Sequence, residues 1–414
     1  MRWEKQDGRS SGEPPREHGG LRELDTARCG GHFLVNEQFF DDLTRRVGDH
    51  TSPTLPRRGL FGLLGGSALA GVAGVGLLTE DTEAKKKKKK NKKNKNKKCK
   101  ADGKKCKKNK DCCDSKCSSG RCGSRCPTRV SFNTRWGSFG TGNNQFRNPW
   151  DIAVSRDGEV FVADSDNRRI QVFNESGGFI RSWGSAGNGS EQFQDPRGVG
   201  VNQDGGRTRV LVADAAMNSD SRRLRRFNTT GTLISEMGRS QMPNPRGIAV
   251  DSNNRIWVVD SSSTGRVFLF NSDGSYNNSW TPDGNGALSS PQGIAVYKDG
   301  NATYVYVSNT GNNKVVKFQY SGSNLNFVKA AGSQGSGSSS FNGPAGIAAD
   351  SCGNLWVADR NNDRIQILDK DLVFKSRFTA SFSRPTGVAF GTNTKQLFVV
   401  DSSNAQVQKF SLSS

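Results

Sequence analysis

One pattern recurs through the last two-thirds of this chain of 414 residues: a proline, glycine two residues on, a short β-branched run, an acidic turn and a second strand. Pro149, Pro196, Pro245, Pro291, Pro344 and Pro385 head six copies, spaced 47, 49, 46, 53 and 41 residues apart. A period of that length marks stacked or ring-closed units, each too small to bury its own apolar face alone. The best-formed copy, NPWDIAVSRDGEVFVADSDNRRIQVFNESGGFIRSWGS from Asn148 to Ser185, reads as strand, Asp-Gly turn, strand, Asx turn, strand, Gly turn, strand. Four strands per unit make a propeller blade, so the expected fold is all-β and six-bladed.

The skeleton returns as PRGIAVDSNNRIWVVD from Pro245, PQGIAVYKDG from Pro291, PAGIAADSCGNLWVADRNNDRIQIL from Pro344 and PTGVAFGTNTKQLFVVD from Pro385. These residues resemble NHL repeats over residues 130–413. The second and fourth copies depart from the pattern, the one by a lengthened loop after Asp214, the other by Asn309 where Asp is usual. Residues 130–149 repeat the fourth-strand segment FIRSWGSAGNGSEQFQDP, while the sixth copy stops after Phe410. The segment Phe132 to Trp136 is therefore expected to complete the last blade and leave no open edge. That topology brings Cys126 beside the turn Asp350-Ser351-Cys352-Gly353, and a Cys126–Cys352 disulfide is expected.

Residues after each proline, Trp150, Arg197, Arg246, Gln292, Ala345 and Thr386, should surround the mouth of the central channel. Arg168, Arg222 and Arg360 add positive charge from adjoining loops, and Asn167, Asn312, Asn361 and Asn362 add amides. Such a rim suits an anionic or carbohydrate ligand, since arginine offers a bidentate fork and tryptophan a flat platform. Asp164, Asp214, Asp260, Asp359 and Asp401 recur once per copy and are read as caps of their own turns. Phe173, Phe227, Phe270, Phe318 and Phe410 are read as inter-blade packing. Ser221 to Arg226 looks like a nucleic-acid patch in isolation, but strand alternation splits its arginines between two faces.

All three histidines, His18, His32 and His50, precede residue 51, so histidine chemistry is excluded from the repeat region. The resemblance includes an amidating lyase that depends on a histidine-held zinc, which this ring cannot supply. Lactonase-type six-bladed propellers use a central cluster of carboxylate and amide metal ligands, and Trp, Arg, Arg, Gln, Ala and Thr at the mouth do not provide it. No metal and no cofactor are expected.

Charge separates the rest of the chain from the ring. Residues 1–84 carry a net −3, residues 85–126 a net +17, and residues 127–414 a net +7, out of +21 overall. Residues 1–56 are polar and long for what precedes a signal, and the true start is open. Within 57–84, Arg57 and Arg58 precede Gly59 to Leu78, a charge-free stretch rich in glycine and alanine. The run resembles a bacterial twin-arginine export signal, with cleavage expected after Ala84; an uncleaved membrane anchor is the alternative. Residues 85–98, KKKKKKNKKNKNKK, cannot bury apolar surface and should be extended. They are read as a tether to anionic polymer, lipid or nucleic acid, or simply as a charged linker. Residues 99–126 hold Cys99, Cys106, Cys112, Cys113, Cys117 and Cys122 in a C-x6-C-x5-C-C-x3-C-x4-C spacing that resembles knottins. By that resemblance the pairs are Cys99–Cys113, Cys106–Cys117 and Cys112–Cys122; the spacing alone leaves fifteen pairings open. Zinc fits less well, for want of a C-x2-C knuckle or a nearby histidine.

The resulting expectation is an exported, monomeric, non-catalytic binding or scaffold protein of a bacterial cell envelope. Its ring, residues 127–414, takes a protein, glycan or small anionic ligand, and its lysine run meets anionic polymers. Two other classes compete: a polyanion- or nucleic-acid-binding protein, as among TRIM-NHL proteins, and a propeller lyase or lactonase with an atypical site.

Overall fold

The computed structural model describes residues 117–118, 121–122, 126–127, 129–215, 223–238 and 241–413. The export segment with Arg57, Arg58 and Ala84, the Lys85–Lys98 run, Cys99, Cys106, Cys112 and Cys113, and Arg222 lie outside the described residues, as do the side chains of Cys117 and Cys122. Among the described residues no helix is long and apolar enough to cross a membrane. Ahead of the ring, Cys117–Ser118 and Arg121–Cys122 form a two-stranded antiparallel pair.

Six four-stranded antiparallel sheets follow, the first five in chain order from inner to outer strand. Blade 1 runs Pro149–Val154, Glu159–Asp164, Arg169–Asn174, Phe179–Trp183. Blade 2 begins at Pro196–Asp204, blade 3 at Pro245–Val250, blade 4 at Gly293–Asp299, blade 5 at Pro344–Ala349 and blade 6 at Pro385–Phe390. The outer strand of blade 6 is Arg129–Trp136, which pairs antiparallel with Gln406–Ser413. Cys126, three residues ahead of that strand, is bridged to Cys352 in the first turn of blade 5.

The cores lie between blades. Second strands such as Glu159–Asp164 and Leu355–Asp359 are almost wholly buried, because both faces of a middle strand pack against neighbouring sheets. At the blade 6–blade 1 junction Trp136, Phe146, Val160, Phe173, Phe398 and Val407 share one cluster. Phe173, Phe227, Phe270, Phe318 and Phe410 are all buried at equivalent third-strand positions, as inter-blade packing requires. Phe146, Phe193 and Phe341, from the loops ahead of blades 1, 2 and 5, are fully buried and anchor those loops to the ring.

Candidate functional site

The first strands meet around the axis, and the residue two beyond each proline decides how closely. Gly198, Gly247, Gly293, Gly346 and Gly387 hold that place in blades 2 to 6. A Cβ at Gly198, Gly293 or Gly346 would come within 2.0, 2.3 and 2.2 Å of the carbonyl oxygens of Arg246, Ala345 and Thr386 in the next blade. These glycines let neighbouring backbones touch, and Gly247 donates its N–H to the Gln292 carbonyl across one such seam. Blade 1 carries Asp151 instead. Its carboxylate occupies the seam to blade 2: Oδ2 accepts the Val199 N–H at 3.1 Å and Oδ1 its own neighbour's, from Ile152, at 2.9 Å. The repeat pattern therefore does not hold in blade 1. Reading only the position after each proline passes Asp151 over, although the missing glycine is visible in the sequence.

Asp151 lines a small cavity of about 50 Å³ at the channel mouth. The lining comes from three successive first-strand positions: Trp150, Arg197, Gln292 and Thr386 directly after the prolines; Asp151, Gly247, Gly293 and Gly346 at the next; and Ile152, Val199, Ile248, Ile294, Ile347 and Val388 at the third. Trp150 is not the open platform the sequence suggests. Its ring is 9% exposed and carries the Arg197 guanidinium at 4.3 Å and that of Arg360, from blade 5, at 4.8 Å. Two stacked cations therefore cover the apolar face, and the one that lines the cavity is Arg197. Arg197 is further oriented by Asp195, at 2.6 Å from its Nε.

The other expected rim residues are elsewhere. Arg246 is half-buried and does not line the cavity, and Arg168 is exposed in a left-handed turn position, φ 54°, away from it. Asn167 and Asn362 are engaged in scaffolding: each donates from Nδ2 to a loop carbonyl, Gly140 or Gly335, and to the buried aspartate of its own blade. Their amides hold the turn, so they are corrected from ligand groups to structural ones.

The once-per-blade aspartates have a wider duty than capping their own turns. Asp164, Asp214, Asp260, Asp359 and Asp401 are fully buried at the ends of second strands. Each accepts backbone N–H from the loop leading into its own blade: from Arg147, Asp195, Asn244, Asn342 and Ser383 respectively. Asn309 does the same in blade 4, accepting from Ser289. Third-strand side chains complete the arrangement, Gln171, Arg225, Gln366 and Gln408 all bonding the aspartate Oδ2. The arginine run of blade 2 belongs to this machinery. Arg223, Arg225 and Arg226 are buried and face Glu236, Asp214 and Asp204, so they present no nucleic-acid patch.

Burial pushes the Asp151 carboxyl up to about 7, against the opposing pull of the Val199 and Ile152 N–H groups. Because the folded value lies above the unfolded one, the native state holds its full advantage below about pH 4. It loses that advantage as pH rises through 7 and the enclosed group is made to ionise. The Asp151→Asn variant does not ionise, so its melting temperature relative to the native protein should rise between pH 5 and pH 7 and level off towards pH 8, whatever constant offset the amide introduces. A difference that stays flat over that range would refute the assignment. The chemistry of the donors does not suit a metal of the lactonase type: the cavity wall offers one carboxylate, both oxygens already accept N–H, and equivalent positions are glycine. Among the described residues no group of three His, Cys, Asp or Glu side chains is placed to hold a metal ion.

Comparison with known proteins bears on the fold. The model of the NHL repeat matches residues 146–173 and 242–270, and that of the SMP-30/Gluconolactonase/LRE-like region matches residues 281–403. Protein brain tumor of Drosophila melanogaster is 27% identical over 146 residues, 35% of this chain and 14% of that protein. The B-box type zinc finger protein ncl-1 of Caenorhabditis elegans is 41% identical over 142 residues, 34% of this chain and 16% of that protein. The chain thus spans about a seventh of the length of either relative. A solved gluconolactonase from Xanthomonas campestris superposes with a TM-score of 0.52 at 16% identity, over 69% of this chain and 90% of that one, a likeness of fold. Six four-stranded blades, with the NHL repeat matched in two stretches, make the described ring an all-β, six-bladed β-propeller with NHL repeats.

Proposed function

We propose that this protein is a non-catalytic binding propeller, exported to a bacterial cell envelope, whose channel mouth receives an anionic group of a small ligand, glycan or protein partner. The observation that carries the reading is Trp150 with the Arg197 and Arg360 guanidinium groups over its ring, at the wall of a cavity. Stacking fixes the two guanidinium planes, and Arg197, which lines the cavity, brings a guanidinium suited to a carboxylate or phosphate. Export rests on the resemblance of residues 57–84 to a twin-arginine signal, and Lys85–Lys98 would tether the ring to anionic polymer or lipid.

The test is calorimetric titration of the full chain with small monocarboxylates, comparing the native protein with an Arg197→Ala/Arg360→Ala variant. Loss of a charge-assisted contact at about 1.5–3 kcal/mol predicts at least tenfold weaker binding. Equal binding by both proteins would remove the mouth as the site.

A lactonase is the second reading, favoured by the gluconolactonase-region match over residues 281–403. That match does not include blade 1, which supplies the one carboxylate of the cavity wall. Hydrolysis of a sugar lactone above background, lost in Asp151→Asn, would establish the second reading. For polyanion binding, salt-dependent affinity that disappears on deleting Lys85–Lys98 would assign it to the lysine run.

A further inference from the structure

Three of the loops that lead into blades are built to one plan. Those ahead of blades 1, 2 and 5 align residue for residue from Gly137, Gly184 and Gly332 to the prolines, with buried Phe146, Phe193 and Phe341 at the same place. Each folds back through one parallel pairing: Phe139 with Phe146, Ala186 with Phe193, and Gln334 with Phe341. Each closes with the N–H of the next glycine, Gly140, Gly187 or Gly335, donated to the carbonyl of the buried phenylalanine at 3.1, 3.2 and 3.0 Å. The residue ahead of that glycine faces solvent in all three: Ala186 and Gln334 are exposed, and Phe139 is 72% exposed.

The loop fold therefore does not call for an aromatic ring at 139, since alanine and glutamine serve in its two counterparts. The residue after the buried phenylalanine departs as well, being Arg147 where the others have Gln194 and Asn342. These two departures meet. The Arg147 guanidinium lies 5.2 Å from the Phe139 ring centroid, and both residues are exposed. The ring is also held ready, because Arg169 donates to the loop carbonyls of Thr141, Gly142 and Gln145 at 2.7, 2.7 and 2.8 Å. Asn167 Nδ2 donates to the Gly140 carbonyl at 2.9 Å, which sets the turn with exposed Arg168 against the loop. Exposed Arg135 stands near the end of the blade 6 outer strand, just ahead of the loop, while Asp166 accepts from Asn148 Nδ2.

We propose that Phe139 and Arg147 form a docking point for an acidic peptide segment of a partner protein, apart from the channel mouth, whose lining includes neither residue. A rigidly presented aromatic ring beside an arginine has the composition of an interface hot spot. A phenyl ring left in water carries a cost that the two counterpart loops avoid. Arg147, Arg168 and Arg135 set the sign of the partner, and a loop already fixed by Arg169 loses little freedom on binding. A single-stranded nucleic acid calls for successive stacking platforms along a basic groove, whereas the counterpart loops place alanine and glutamine there.

The experiment selects short random peptides displayed on phage against the full chain, with Phe139→Ala protein in excess as competitor. The competitor carries the same Lys85–Lys98 run and removes peptides that bind lysine alone. Phe139→Ala copies Ala186 and Arg147→Gln copies Gln194, so both variants should fold and melt as the native protein does. Survivors should be acidic peptides. One of them, synthesised and titrated calorimetrically, should bind Phe139→Ala about tenfold more weakly or worse, and Arg147→Gln more weakly with a shallower salt dependence. Its affinity should not change in Arg197→Ala/Arg360→Ala, which separates a failure here from a failure of the mouth. If no peptide survives the competition, if the survivors are not acidic, or if the titrated peptide binds Phe139→Ala equally well, the docking point is overturned. Phe139-dependent binding of an oligo-dT strand in place of any peptide would overturn it in favour of nucleic acid.

Discussion

Asp214→Ala should lower the stability of the ring by about 3–5 kcal/mol, the loss expected when one partner of a buried ion pair is removed. Asp214 and Arg225 have no exposed side-chain surface, and their closest approach is 2.7 Å. Burial raises the Asp214 carboxyl above the ordinary carboxylate range and pulls Arg225 down to about 10, so each charge persists because the other is there. The carboxylate also accepts the Gln194 and Asp195 N–H groups, which tie the loop before blade 2 to the end of its second strand. Alanine would orphan those two donors together with the guanidinium. Arg225→Gln is the informative companion. Blades 1, 5 and 6 place Gln171, Gln366 and Gln408 at the same third-strand position, each bonding its aspartate. That variant should cost less than Asp214→Ala, about 2–3 kcal/mol, because glutamine can still bond the aspartate but gives up bonds to the Gly189, Ser190 and Gln192 carbonyls. In the double variant the uncompensated cation is gone, and the two losses should fall short of adding by about 2 kcal/mol. Denaturant unfolding of the four proteins measures the cycle; strict additivity would show that Arg225 is held by its carbonyl partners, Gly189, Ser190 and Gln192, and not by Asp214.

How much of this was open to sequence reasoning differs between scaffold and site. Blade number and strand order follow from period, turn chemistry and β-branched runs, because each blade repeats one set of local preferences. The recurring aspartates were visible too, and their burial follows from ending a middle strand. Their partners were not visible. The backbone N–H groups that bind Asp164 or Asp359 sit about 17 residues earlier in the chain, and nothing in the residue types of that loop marks them. Arg223 to Arg226 misleads for a related reason: a basic run looks like surface charge until the acidic partners Glu236, Asp214 and Asp204 fold onto it. At the site, residues after the prolines identify Trp150, Arg197 and Gln292 as cavity residues. They cannot say that Arg360 crosses from blade 5 to cover Trp150, which is a matter of side-chain reach around a ring. Asp151 is the opposite case. Its signal was present as a broken glycine pattern, and an exception within a repeat carries more information about function than the repeat does.

Opening the Cys126–Cys352 bridge should destabilise the ring by an amount comparable to losing the Asp214–Arg225 pair. The bond joins residues 226 apart in sequence and so closes a loop that holds blades 1 to 4 and the first strand of blade 5. In the chain-entropy account such a loop is worth about 5 kcal/mol, and measured bridges more often return 2–4 kcal/mol. The position amplifies the effect. Arg129–Trp136 completes blade 6 by pairing with Gln406–Ser413, and Cys126 stands immediately ahead of it. Without the bridge that strand is held by its ladder and by Trp136 and Phe132, the latter half-exposed beside Phe410. A terminal strand held in that way frays first, and its release exposes the edges of blade 6 and the Trp136 cluster with Phe146, Phe173 and Phe398. Cys352→Ser should therefore lower the melting temperature by roughly 6–12 °C, at about 2–4 °C per kcal/mol for a domain of this size. It should also speed hydrogen exchange in Arg129–Trp136 and Gln406–Ser413 before the inner strands. The native protein under reducing conditions should shift to the same melting temperature, while the variant should not respond to reductant there. Unchanged melting on reduction, with the thiols shown to be free, would mean that the strand ladder alone closes the ring.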